Sequence, residues 1–263
     1  MPNRIDQCFQ ALHARNEKGF IAYICAGDPD FPRTVDLALA LEKAGTDILE
    51  LGIPFSDPLA DGVVNQLAAQ RALKAGATVP GVLDCVRQIR RRSQIPIVLY
   101  TYMNPIFQFG FDRFHHAASD AGVDGLLILD LPPEEDLPGE APLHIRLIAP
   151  TTPPERIQKI CSRAAGFIYY VSREGVTGVQ SNIASSLGER VAEIRRCTEL
   201  PIAVGFGIST AEQAREVAQM ADAIVVGSAI VQRIQEESMA ADMPERVAKF
   251  VASLVTAAKG RGS

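Results

Sequence analysis

Eight short apolar runs recur along the chain, each followed by a turn and a stretch of helical period, and no other feature narrows the possible folds so far. The runs are "FIAYIC" 20–25, "DILEL" 47–51, "PIVLYT" 96–101, "GLLIL" 125–129, "HIRLIA" 144–149, "FIYYV" 167–171, "PIAV" 201–204 and "DAIVV" 222–226. Between them lie "RTVDLALALEKAG", closed by Gly45, then "GVLDCVRQIRRR", "RFHHAASDAG", "ERIQKICSRAAG" and "AEQAREVAQM", with apolar positions at helical spacing. Strands separated by helices pair in parallel through right-handed crossovers. At 263 residues the economical closure is a (β/α)8 TIM barrel, one domain spanning residues 1–263. An open doubly wound sheet is the alternative, but no GxGxxG follows the first run and no linker divides the chain. Ile5, Phe9 and Leu12 share helical spacing and predict an extra N-terminal helix over the barrel floor.

Hydrophobic residues make up 47% of the chain, enough for a large core, and the net charge of −5 offers no basic surface for nucleic acid. The one dense cationic run, "RQIRRR" 87–92, sits inside an amphipathic pattern and reads as a solvated helix face. No apolar run approaches the roughly 20 residues that span a bilayer, and "MPNRIDQCFQ" lacks a signal-peptide core. The expected location is the cytoplasm. Five scattered cysteines without CxxC spacing read as reduced, mostly buried thiols.

Barrel chemistry collects at the C-terminal ends of the strands. "LELGIPFSDPLADG" 49–62 leaves the second run there carrying three acids. Side chains alternate along a strand, so Ile48 and Glu50 share one face and Leu49 and Leu51 the other. If the leucines meet the helices, Glu50 points into the barrel mouth, and Asp61 follows on a path stiffened by Pro54 and Pro58. Two carboxylates could then approach one bound molecule, and burial would raise the Glu50 pKa towards a useful acid or base value. A solvated rim acid or a helix cap is the competing reading of either residue. After the seventh and eighth runs, "VGFGIST" and "VVGSAIV" set Gly205 and Gly207, then Gly227 and Ser228, where backbone amides at a helix start can cradle phosphate.

Of the four histidines, His13 lies in the leading helix, His115 and His116 in the third, and His144 at the start of the fifth strand, all away from the active face. No histidine triad or histidine-rich metal site assembles from them, and no lysine stands at a strand end for Schiff-base chemistry. The expectation is carboxylate acid–base chemistry on a phosphorylated substrate, with no metal and no cofactor.

"LELGIPFSDPLADG", "YTYMNPI", "GVDGLLILDLPPEE", "LIAPTTPPERI", "YYVSREGVTG", "GFGIS" and "VVGSAIV" occur in this order from Phe20 to Val231, and together they resemble the tryptophan synthase alpha subunit. The resemblance implies a (β/α)8 barrel, cofactor-free retro-aldol cleavage of indole-3-glycerol phosphate to indole and glyceraldehyde 3-phosphate, and a beta subunit that receives the indole in an alpha2-beta2 complex. It implies that Glu50 moves protons between the glycerol hydroxyl and indole C3, and that Asp61 stabilises charge on the ring nitrogen. Tyr23, Tyr102, Asp130, Tyr169 and Phe206 would line the pocket, and Gly178, Gly207, Gly227 and Ser228 would hold the phosphate. "SREGVTG" 172–178 matches the mobile lid of the family, with Thr177 reaching the aspartate on closure, and "SREGVTGVQSNIASS" 172–186 is expected to be mobile without ligand. Asp57 and Pro58 would face the partner.

This sequence departs from the family pattern at "DGVVNQ", where Val63 replaces a proline and predicts a looser loop, and at Tyr100 and Leu129, which enlarge groups near the pocket. "EEDLPGEAPLH" 134–144 is too short and proline-rich for a full fourth helix, which predicts a thinned side of the barrel. Two other readings stay open: another phosphate-binding barrel enzyme such as a sugar-phosphate epimerase, and a weakly active subunit kept to activate a partner.

Overall fold

The computed structural model describes residues 3–135, 142–171, 180–205 and 207–260. All eight apolar runs are strands: β1 (Gly19–Cys25), β2 (Ile48–Gly52), β3 (Ile97–Thr101), β4 (Gly125–Ile128), β5 (Leu143–Ile148), β6 (Ile168–Val171), β7 (Ile202–Gly205) and β8 (Ala223–Val226). Every neighbouring pair is parallel and β8 closes on β1, so the sheet is the expected barrel. The strands are nearly continuous apolar runs because both of their faces are covered, by helices outside and by packed side chains within.

The alternation read from the sequence holds. Leu49 and Leu51 pack outward against the helices, while Ile48 joins Ile21, Val98, Leu127 and Ile145 inside the barrel. Helix α1 (Arg4–Ala14) plugs the floor with Ile5, Phe9 and Leu12, and the Phe9 ring meets Phe167 at 5.7 Å between centroids. The helices expected between the strands form as α2 (Phe31–Lys43), α4 (Val79–Arg90), α6 (Phe111–Ala121), α7 (Pro154–Cys161) and α9 (Ala211–Ala218). The sequence explains their starts: Asp30 caps α2 by accepting from Arg33 N–H, and Thr210 with Gln213 forms a reciprocal capping box on α9.

Among the described residues there are further helices: α3 (Val63–Lys74), α5 (Met103–Phe109), α8 (Gln180–Arg195), α10 (Ser228–Glu237) and the long α11 (Met243–Ala258), which packs on α2 and α9. Two sequence readings change accordingly, those of "DGVVNQ" and of "RQIRRR". "VVNQ" after Gly62 is the first turn of α3, where Val63 occupies a position that tolerates proline but does not require it, and Gln66 Nε2 ties the turn back to Asp61 O at 2.9 Å. Residues 180–186 of the expected mobile stretch are helical in α8, while residues 172–179 lie outside the described residues. Within "RQIRRR", Arg90 is not solvated: its Nη2 donates to Asp124 at 2.6 Å with the side chain nearly buried. No helix joins β4 to β5 among the described residues; positions 136–141 of the predicted thin segment lie outside them.

Asp124 belongs to a repeated device at the barrel floor. Asp47, Asp124 and Asp222 each stand immediately before an even-numbered strand and accept a first or second amide of the preceding strand: Phe20 N, Ile97 N and Ile202 N, each at 2.8 Å. Each also meets a cation, Lys259, Arg4 with Arg90, and Arg195 respectively. A carboxylate bonded to both an amide and a cation satisfies strand-end donors that the ladder leaves over and fixes neighbouring strands at the face opposite the chemistry.

Candidate active site

Alternation along β2 carries Glu50 into the barrel near its C-terminal mouth, in register with Tyr23 on β1 and Val98 on β3. It is 1% exposed, and neither carboxyl oxygen takes a hydrogen bond from a described residue. Burial, then the nearby Asp61 charge, pushes its pKa up from 4.5 to about 8. Glu50 is therefore a neutral acid at pH 7.

Asp61, at the turn into α3, is held differently. Tyr100 Oη donates to Asp61 Oδ1 at 2.8 Å and Tyr102 Oη to Oδ2 at 2.9 Å, and the Tyr102 hydroxyl also accepts Ala60 N–H at 3.0 Å. Burial raises the Asp61 pKa, and donors on Tyr100, Tyr102 and Asn65 oppose it. Among the described residues Glu50 has a donor on neither oxygen and Asp61 one on each, an asymmetry that suits two carboxyls with separate tasks.

Three tyrosines wall the same space. Tyr23 and Tyr100 meet edge to face with centroids 5.0 Å apart, and Tyr169 on β6 faces inward from the far wall. Strand glycines admit them: a Cβ on Gly52 would lie 2.5 Å from the Tyr23 hydroxyl, and one on Gly205 2.9 Å from that of Tyr169. Gly205, read from the sequence as part of a phosphate turn, thus makes room for a ring. Gly227 precedes the first turn of α10 and Ser228 begins it, so a helix N-terminus follows the end of β8 at the mouth. Gly207, with φ +64, adopts a left-handed conformation on the adjacent turn, with open space where a side chain would be.

Of the residues singled out from the sequence, Glu50, Asp61, Tyr23, Tyr102, Tyr169, Gly207, Gly227 and Ser228 gather at the mouth. Asp130 is exposed beside them and accepts Met103 N–H at 2.7 Å, capping α5 rather than joining the acid cluster. Thr177, Gly178 and Phe206 lie outside the described residues. Leu129 packs against the barrel-interior cluster, as expected of a group near the pocket. Tyr100 was legible as a bulky residue there but not as a donor to Asp61; the period of β3, which gives Val98 and Tyr100 one face, was the available signal. His115 packs with His144 and Phe111 on the outer layer, away from the acids.

Comparison with known proteins decides what the arrangement belongs to. The family profile described as tryptophan synthase alpha chain matches residues 9–259. The chain belongs to that family. The tryptophan synthase alpha chain of Opitutus terrae is 53% identical over 96% of both chains. Among solved structures, the alpha subunit from Legionella pneumophila superposes with a TM-score of 0.89 at 38% identity, over 99% of this chain and 100% of that one. A chain of tryptophan synthase from M. tuberculosis superposes with a TM-score of 0.86 at 31% identity, over 97% and 99%. The alpha chain family is the lyase family of tryptophan biosynthesis that cleaves indole-3-glycerol phosphate to indole, and its members partner a beta subunit to which the indole passes. The chain is an indole-3-glycerol-phosphate lyase, which sets aside the epimerase reading.

Proposed function

We propose that Glu50 is the proton carrier of this lyase and Asp61 its charge-stabilising anion. Glu50 carries the reading: it is fully buried, with neither oxygen bonded to a described residue, beside an aspartate whose two oxygens are both engaged. A carboxyl left so is costly to the fold, and such groups cluster at functional sites.

Glu50 gives its proton to indole C3. The ring becomes an indoleninium with its positive charge largely on N1–H, and the Asp61 carboxylate accepts that N–H and balances the charge. The Glu50 carboxylate next takes the proton from the hydroxyl on the carbon attached to C3. That carbon becomes the aldehyde, the C–C bond breaks, and its electron pair restores the neutral indole ring. The proton is again on Glu50, and the products are indole and glyceraldehyde 3-phosphate.

Tyr23, Tyr102, Tyr169 and the sequence-assigned Asp130, Thr177 and Phe206 line the substrate in this reading, while Gly207, Gly227, Ser228 and Gly178 hold its phosphate. The helix start at Ser228 and the open turn at Gly207 support the phosphate assignment. The single barrel domain works in the cytoplasm within an alpha2-beta2 complex. Its five free cysteines agree with a reducing compartment, and Leu59 at 89% and Val63 at 69% exposure give the acid loop an apolar face for a partner.

Indole release by Glu50→Gln and Asp61→Asn, with and without a beta subunit, tests the assignment. Each variant should lose roughly 100-fold or more in turnover, the scale of a positioned acid or base, with the fold retained. In the parent protein, turnover should fall as pH rises through about 8, where Glu50 loses its proton. Near-normal turnover in Glu50→Gln would remove that residue from the mechanism.

A further inference from the structure

We propose that Tyr100 is a positioning residue for Asp61, holding the carboxylate ionised and aimed at the indole nitrogen before substrate arrives. The inference rests on the role given to Asp61 above. Most of the groups around this aspartate cannot keep it charged. Among the described residues, the titratable groups that feel its charge are Tyr23 and Cys25 from β1, Glu50 from β2, Tyr100 from β3, Tyr102 beyond it and Tyr169 from β6. Every one is an acid, so none brings a positive charge. What opposes burial is hydrogen bonding, from the phenols of Tyr100 and Tyr102 and from Asn65.

The two phenols are not equivalent. Tyr102 divides its hydroxyl between Asp61 Oδ2 and the Ala60 amide, and it follows the last residue of β3. Tyr100 is within the strand, paired to Gly52 in the ladder, with its ring fixed against Tyr23 and its hydroxyl directed to Asp61 Oδ1. Burial and the Asp61 charge hold the Tyr100 phenol far above its ordinary pKa, so it stays a donor throughout the working range. An aliphatic residue at this position, as the family resemblance sets there, fills the space and donates nothing. In this chain Asp61 is therefore preorganised from the strand as well as from its own loop, and the carboxylate does not depend on substrate or lid to become oriented.

The test compares Tyr100→Phe, Tyr100→Leu and Asp61→Asn in the full chain, alone and with a beta subunit, by indole release from pH 5 to 9. Losing one donor to the charged form raises the Asp61 pKa. The acid limb of kcat in Tyr100→Phe should then move up by about one pH unit, roughly a tenfold loss at the foot of that limb, with the plateau and KM within about threefold. Tyr100→Leu should show the same displacement, since it too lacks the hydroxyl. A 13C titration of the Asp61 carboxyl in a Glu50→Gln background reads the same change without turnover. An unmoved acid limb and an unmoved carboxyl titration in both Tyr100 variants, or a pH-independent fall in kcat, would overturn the inference while leaving the acid assignment standing. Full turnover in Asp61→Asn would instead remove the assignment on which the inference depends.

Discussion

The protonation of Glu50 should be visible in stability as well as in catalysis. Its folded pKa of about 8 stands against 4.5 in its ordinary state. Between those values the folded chain keeps a proton that the unfolded chain has released, so unfolding releases it and stability falls as pH rises. The stabilising side of this window is below about pH 4.5, and the full penalty is present above about pH 8. Integrating from pH 5 to pH 9, the burial of this one carboxyl removes about 4 kcal/mol, of which more than half is gone by pH 7. Glu50→Gln has nearly the same shape and no charge to bury. The two proteins should be close in stability at pH 5, and the variant should be more stable by about 4 kcal/mol at pH 9, equivalent to roughly 8 to 16 °C in melting temperature for a chain of this size. Urea and thermal unfolding of both proteins at pH 5, 7 and 9 measure this, because the difference between them cancels every other titrating group. A difference that stays constant with pH would mean that Glu50 is ionised in the folded chain, and the account of it as a neutral acid would fail.

Replacing Gly207 by alanine meets no atom but forces a side chain into a left-handed backbone at φ +64; the strain of about 1 to 2 kcal/mol should shift the turn and raise KM for the phosphorylated substrate, with little change for an analogue lacking phosphate. Leu59→Glu, at an exposed position on the acid loop, should abolish stimulation of indole release by a beta subunit while the unstimulated rate stays within about twofold, as titration with the purified partner would read. Asp124→Ala leaves Arg90 buried without its anion and Ile97 N–H without its acceptor, so thermal unfolding should show a loss of about 3 to 5 kcal/mol, with kcat retained because the floor lies opposite the mouth.

The barrel was legible because each strand is buried on both faces and so reads as a short apolar run, which a single sequence displays clearly. Glu50 was legible for the same reason: alternation within "ILELG" leaves one acid on the face opposite two leucines. Helices were harder. Helix α3 has a weak apolar face built from Ala68, Ala69 and Ala72 and an uncapped start at Gly62, so "DGVVNQ" read as loop. Arg90 looked solvated because its neighbours Arg91 and Arg92 are; its partner, Asp124, is far along the chain and reaches it only through the closed barrel. Tyr100 failed in the same manner. Its ring belongs to an apolar strand pattern, and the hydroxyl acquires meaning only when the loop after β2 brings Asp61 over the end of β3.

The same loop geometry explains how two halves of the site stay in register. Asp61 stands just before α3, and the proposed phosphate cradle of Gly227 and Ser228 at the start of α10, on elements that the chain order separates widely. In the last turn of α3, Arg71 donates from Nε and Nη2 to both oxygens of Asp28, at 2.8 and 2.7 Å, and from Nη1 to Gln235 of α10 at 3.1 Å. Asp28 is almost wholly buried in the loop after β1. A bidentate pair on a buried carboxylate fixes orientation as well as distance. One guanidinium therefore braces the helix that follows Asp61 against both the β1 loop and the helix that begins at Ser228. If Asp61 meets the indole ring and Gly227 and Ser228 the phosphate, as proposed above, the reacting bond lies between those two ends, and the spacing of α3 and α10 sets where indole C3 falls relative to Glu50.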